Sequence, residues 1–145
     1  MPQTIASAIV EIAEVVAAAS GINAPQATPR ENTNEYPFAM VYLFDGQSSA
    51  MSQGWKIDLV NIAIDILTPR SRDLNESLPA LHAILDTLLD ALWSEVAKQG
   101  AGFFDGSIDT FGNLSIAFLP FYVYANVEMI GYRLVLEQVK LVATL

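Results

Sequence analysis

The side chains able to do acid, base or metal chemistry are few in this chain, and they are poorly spaced for it. His82 is the only histidine, and Asp86 lies four residues on, one helical turn away and within hydrogen-bond reach. A catalytic or metal site needs further partners, so the two read as a surface ion pair on the polar side of a helix. Asp58 and Asp65 share one strand, but at seven residues apart they point to opposite faces and cannot serve one substrate as acid and base. They read as solvation or interface contacts. Asp105, Gly106, Ser107 and Asp109 share residue types with a calcium loop but lack its alternating acidic ligands and closing glutamate. Gly100 and Gly102 follow a helix instead of joining a strand to a helix, so they make no phosphate cradle, and no serine stands in a nucleophile elbow. There is no cysteine, which removes thiolate metal sites, cysteine nucleophiles and disulfides together. The expectation is a protein that is not an enzyme and carries no metal and no cofactor.

The totals point the same way. The 145 residues suit one domain, 1–145, able to bury about 68–70% of its unfolded surface. The chain is 52% hydrophobic and only 16% charged, where soluble domains average about 25% charged. Few charges are left to coat a monomer, as in a subunit of an assembly. A net charge of -9 argues against gripping nucleic acid by phosphate neutralisation, and the basic residues are dispersed, with only Arg70 and Arg72 close together. The N-terminus shows no targeting pattern. The uncharged run from Thr110 to Val127 has the length of a membrane span, but Gly112, Asn113, Pro120 and Asn126 break it, so it reads as strand and turn. No membrane association is expected.

Structural elements must position whatever contacts the chain makes. Ile5, Ile9, Ile12 and Val16 recur at helical spacing within Thr4 to Ser20, with Gly21 placed as a left-handed cap. Ala24 to Pro37, with three prolines, reads as an extended crossing and not a regular element. Phe38 to Phe44 reads as a strand with both faces apolar, followed by a flexible polar loop from Asp45 to Gly54. Trp55 to Thr68 is the central strand, with Asp58, Val60, Ile62, Ile64 and Ile66 on one face and Ile57, Leu59, Asn61, Ala63 and Asp65 on the other. A second helix runs from about Asn75 or Leu78 to Lys98, with Asp73 and Glu76 as a capping box, a stripe of Leu78, Leu81, Leu85, Leu88, Leu92 and Val96, and Gly100 beyond its end. Strand pieces follow at Gly106–Thr110 and Leu114–Leu119, then a turn over Ala125–Gly131 and a closing strand over Tyr132–Val142. The order α-β-β-α-β-β predicts an α+β fold, a mainly antiparallel four-stranded sheet with two helices on one face. Helices cover only that face, so the second apolar face of the central strand is expected to meet another copy, another protein, or only partly water.

Anchors for such a partner are present. Met51 lies within a loop that has no core task and reads either as disordered or as a contact arm, and Trp55 follows it; these residue types concentrate binding energy at interfaces. Trp93 reads instead as packing at the edge of the helical stripe. A ligand pocket between helices and sheet, lined by Phe38, Tyr42 and Trp93, is the alternative use of the aromatic residues.

Asn34-Glu35-Tyr36-Pro37-Phe38-Ala39 entering the first strand, a Gly- and Ser-containing loop, Thr68-Pro69-Arg70 ending the long strand, Asp73-Leu74 opening the second helix, Gly106-Ser107-Ile108-Asp109, and Gly131-Tyr132-Arg133-Leu134 together resemble the tail terminator proteins of long-tailed bacteriophages, also called tail completion or neck proteins. The resemblance covers nearly the whole chain, through short structural motifs; the aromatic segment Phe118 to Tyr124 departs from the polar turn expected there. It implies a homo-oligomer, a hexameric ring that caps the finished tail tube, meets the tube protein on one side and the head–tail connector on the other, and lets DNA pass its lumen without specific binding. The implied location is the virion, at the tail–neck junction, after assembly in the host cytoplasm. Interface residues expected on this basis are Ser48, Ser49, Met51, Gln53, Trp55, Tyr124, Asn126 and Met129. A tail tube or head-completion subunit, or a small-ligand-binding α+β domain, remain as alternatives.

Overall fold

The computed structural model describes residues 3–19, 24–26, 37–51, 54–69, 74–96, 104, 106–124 and 126–144. Helix α1 spans Ile5–Ala18. Thr4 caps it, extended in backbone and accepting at Oγ1 from the Ser7 amide, 3.1 Å, which satisfies one of the donors a helix start leaves open. The helix ends at Ala19 in an extended conformation; Gly21 lies outside the described residues. Helix α2 spans Leu74–Val96, with the exposed Pro79 as its sixth residue. Asp73, Lys98 and Gly100 lie outside the described residues, as does the Glu76 side chain, so the predicted capping box and C-terminal signals cannot be placed.

The strands are β1 (Ala24–Gln26), β2 (Phe38–Met51), β3 (Trp55–Pro69), β4 (Asn113–Tyr124) and β5 (Val127–Thr144), in spatial order β1-β2-β3-β5-β4. The four long strands are antiparallel neighbours, as the α-β-β-α-β-β reading predicts. The addition is β1, a three-residue strand parallel to β2 at Phe38–Met40, in a segment expected to be irregular. Both helices bury their apolar faces on one side of the sheet: Ala8, Ile12 and Val16 from α1 and Leu81, Leu85, Leu88 and Leu92 from α2 share a core with Val41, Ile62, Ile64 and Leu134. At 25 cal/mol per Å², burying each such side chain contributes roughly 1.5–3 kcal/mol.

Two bulges at one level keep that face apolar. Val60 pairs with Val139 and Ile62 with Leu136, so β5 spends an extra residue opposite Asn61, with Gln138 at φ 57. Without it, strict alternation would turn Val139 and Leu141 away from the helices after Leu134 and Leu136 had faced them. On the other side β2 inserts Phe44 between the pairs Leu43–Ile62 and Asp45–Asn61. Asn61 ties the level together, donating to Asp45 and accepting from the Gln138 amide at 3.0 Å.

Three expected boundaries shift. The loop from Asp45 to Gly54 is strand almost throughout: β2 stays in register to Met51 opposite Trp55, leaving residues 52–54 as the connection, with Gly54 at φ 81. Polar Ser and Gln residues mislead here because an exposed edge strand needs no apolar alternation. The turn expected over Ala125–Gly131 contracts to the Asn126 region, with Asn126 in the left-handed conformation at φ 64. Gly131 sits inside β5 because its missing side chain lets the backbone come close to β3; a Cβ there would lie 1.8 Å from the Ile66 carbonyl oxygen. Finally, Gly106–Thr110 is not a strand but a short stretch of turn and bend with bridge residues at Ile108 and Thr110, the latter paired with Lys140 of β5.

Candidate protein-contact surfaces

The face of the sheet away from the helices is built around one buried charge pair. Asp65 on β3 is 0% exposed and accepts from Arg133 on β5, Nε to Oδ1 2.8 Å and Nη2 to Oδ2 3.1 Å, and from the Tyr42 hydroxyl on β2 at 2.7 Å. The sheet order puts β3 between β2 and β5, and the register sets Asp65 beside Arg133. Phe44 completes the cover, its ring 5.5 Å from the guanidinium carbon, within cation–π range. Burial, and next the hydrogen bond to Asp65, push the Tyr42 phenol well above its ordinary range; the hydrogen bond to Asp65 likewise holds Arg133 firmly charged. Beside this network Met40, Leu67 and Met129 form a small second core with Tyr42, Leu119 and Tyr122 packed on it.

Neither aspartate of β3 is a solvated group, which corrects that half of the sequence expectation. A strand packed by helices on one side and by aromatic residues and an arginine stem on the other leaves a carboxylate little water, so each is paired. Asp58 is buried on the helix side, accepting from Ser48 and from Lys56 Nζ at 3.2 Å. Donation by the Ser48 hydroxyl holds the Asp58 carboxyl below its usual value. His82 is corrected too: its ring nitrogen meets the Tyr132 hydroxyl of β5 at 2.8 Å, ring edge against ring, so its bond crosses from helix to sheet instead of running along α2 to Asp86. The proposed ligand pocket does not assemble, because Tyr42 lies on the face away from the helices while Trp93 is exposed on α2 against Phe111; the Phe38 side chain lies outside the described residues.

The expected interface residues separate into two groups at opposite ends of the sheet. Ser48, Ser49, Met51 and Trp55 form the tip of the β2–β3 hairpin, with Met51 48% and Trp55 46% exposed; Gln53 lies outside the described residues. The other group is at the β4–β5 turn: Tyr124 ends β4 and Asn126 is exposed in the turn, next to Val127, a residue not among those expected, which opens β5. The fifteen residues of β3 set these ends roughly 50 Å apart. Met129 is buried in the second core at 1% exposure and presents no surface in the single chain; its place at the pleat opposite Pro69 turns it inward.

Sequence reasoning missed the edge. Ile116 and Phe118 on β4 are 51% and 46% exposed, and Phe121 and Val123 beyond Pro120 are more exposed still. The signal was the absence of any charge between Thr110 and Val127, read earlier only as a question about membranes. Among the described residues no three His, Cys, Asp or Glu side chains gather where they could hold a metal ion, and no helix there is long and apolar enough to cross a membrane. Compared with models of protein families and with curated proteins, the chain matches none.

Proposed function

We propose that this chain is a structural virion subunit, a tail terminator whose copies form a ring that closes the finished tail tube and presents its other side to the head–tail connector. The observation that carries the reading is that exposed apolar side chains stand at both ends and along one edge of a single sheet, Met51 and Trp55 at one end, Val127 at the other, and Ile116 and Phe118 along β4, besides those on the helices and within the sheet such as Val10, Trp93 and Leu59. A ring subunit between two axial partners needs two ends for the partners and an edge for its neighbour, a heterologous contact that closes by rotation. The net charge of -9 fits a pore for DNA, since acidic walls give phosphates no counterion-release gain. On this reading the chain is not an enzyme, binds no cofactor, and works by shape.

Light scattering behind a sizing column, over a protein concentration series, tests it. A discrete species near six chains supports the terminator reading. Growth into tubes moves the chain to the tail-tube class, and a monomer that gains thermal stability from a small ligand moves it to the ligand-binding class. For the hairpin tip, Trp55→Ala costs about 2 kcal/mol or more at its contact if Trp55 is an anchor; a folded Trp55→Ala protein that joins tail tubes as the parent does removes Trp55 from that role.

A further inference from the structure

The described sheet ends in two open edges. β1 covers β2 only at Phe38–Met40, leaving Asp45–Met51 with no described strand alongside, and no described strand lies beyond β4. Edge strands of stand-alone proteins are guarded by lysines, prolines or inward-pointing charges. Here Asn113–Leu119 holds no charged residue and Asp45–Met51 holds only Asp45. We propose that copies of this chain join head to tail by sheet extension, the outer edge of β4 from Asn113 to Leu119 pairing antiparallel with Asp45–Met51 of the next copy. This rests on the ring reading above and names the contact that builds the ring.

Length, direction and side-chain size agree with this joint. Each edge is seven residues long, and β2 and β4 run in opposite directions within the sheet, so the next copy offers its β2 edge antiparallel to β4. Within one chain Ser115 stands level with Tyr42, through Val135 and Ala63, while Ser49 pairs with Ile57; setting Ser115 beside Ser49 of the next copy therefore takes a step of about 20 Å along the strands, and the axis that closes the ring runs inclined to them. Setting Asn113 opposite Met51 places Leu114, Ile116 and Phe118 opposite Ala50, Ser48 and Gly46. Both sets face the helix side, because Ile116 pairs with Leu134 and Gly46 with Val60, two residues of the helix-side core. Large apolar side chains therefore lie beside small ones. Gly46 cannot be enlarged, since a Cβ there would come within 2.7 Å of Val60 Cγ1, and an aromatic neighbour covering a strand glycine is a favourable cross-strand pair.

An open groove of about 330 Å³ lies on this same side of β2, lined by Ile5, Leu43, Gly46, Ser48 and Val60 among others. A strand added at the β2 edge carries Phe118 to its mouth. The joint also has a natural end. Pro120 has no amide hydrogen to donate, β4 is bulged between Leu119 and Tyr122, and in this register Tyr124 would meet Met40, whose edge β1 already occupies through Gln26.

Because the chain has no cysteine, two engineered ones report the joint directly. Ser115→Cys and Ser49→Cys stand opposite each other across it, whereas within one chain they are separated by three strand spacings across the sheet, about 14 Å, and by six residues along it, about 20 Å, far beyond disulfide reach. Oxidation of the double variant is expected to give a ladder of covalent multimers ending at the ring, and neither single variant should cross-link. Dimers from Ser115→Cys alone would mean that β4 pairs with β4, and would overturn the proposal. Oligomers by light scattering without any cross-link, by direct oxidation or with a short bis-maleimide, overturn this joint while leaving the ring; a monomer that never cross-links at any concentration overturns both. Phe118→Asp and, on the opposite side of the joint, Ser48→Arg should each raise the concentration needed for assembly about tenfold or more with the far-ultraviolet circular dichroism of the parent. If both fold and assemble as the parent does, the joint lies elsewhere.

Discussion

Removing either partner of the Asp65–Arg133 pair should destabilise the protein, and unequally. Asp65 is wholly buried, while the Arg133 side chain keeps 24% of its surface exposed. Arg133→Met preserves the stem that packs under Phe44 but strands a carboxylate with no water, so its cost should fall within the roughly 3–5 kcal/mol typical of a buried charge left alone; about 4 kcal/mol is expected. Asp65→Asn preserves shape and still accepts from Tyr42, and the guanidinium it releases can turn its exposed end to solvent. About 2 kcal/mol is expected there, nearer the cost of a charged hydrogen bond. Since burying the pair also cost desolvation, the triple change Asp65→Leu, Arg133→Met and Tyr42→Phe should return to within about 1 kcal/mol of the parent.

Urea denaturation followed by circular dichroism reads all of this at one fixed protomer concentration, because stability of an assembling protein shifts with concentration. With a slope near 2 kcal/mol/M for a chain this size, the midpoint should fall by about 2 M for Arg133→Met and about 1 M for Asp65→Asn. Their double variant should cost at least about 1 kcal/mol less than the sum. An Asp65→Asn protein as damaged as Arg133→Met, or single costs that simply add, would refute the view that the pair is one desolvated unit whose aspartate is the more deeply buried end.

Gly131→Ala should cost about 4 kcal/mol or more, or prevent folding, because the new methyl group would sit 1.8 Å from the Ile66 carbonyl and both atoms belong to paired strands; a thermal melt that moves by less than a few degrees would contradict the close approach. Tyr42 should ionise only well above the ordinary phenol range, seen as an increment missing at about pH 10 in an absorbance titration of the folded protein and left unchanged there by Tyr42→Phe. Its pKa is raised on folding, so the stability it lends is complete below the unfolded value near 10 and is lost as pH climbs from there through the folded one. Asp58 has the opposite sign. Its pKa is lowered, so its contribution is present above the unfolded value of about 4 and is lost as pH falls through the folded one; Asp58→Asn should therefore cost about 1 kcal/mol at pH 7 and progressively less as pH falls below about 4, compared by urea midpoints.

The elements were legible where burial dictates pattern. Ile12 and Val16 on α1, the leucines of α2 and the two faces of β3 stand where periodicity puts them, since each must turn its apolar side to a single core. What was not legible lay at the edges and in long-range pairs. The distal half of β2 is Asp, Gly, Gln and Ser because its outer side chains face no core, so its composition is that of a loop although its backbone is strand. Asp65 and Arg133 are 68 residues apart, and only the strand order β2-β3-β5 makes them neighbours. The buried Met129 was mistaken for surface because the turn before it was drawn too long, placing it in a loop when it begins the inward alternation of β5.

A low share of charged residues is weak evidence for assembly, but where the charges lie is stronger. Exposed carboxylates among the described residues stand on the helices at Glu14, Asp86 and Asp90, and on the sheet at Asp45, which opens the free edge of β2, and at Glu128 on β5. The edges, where a monomer most needs charge to prevent pairing with other copies, have almost none from Asn113 to Tyr124 and from Gly46 to Met51. Charge is absent along these two stretches, the distribution expected if each edge meets another strand in the working state, as the proposed joint between β4 and β2 requires.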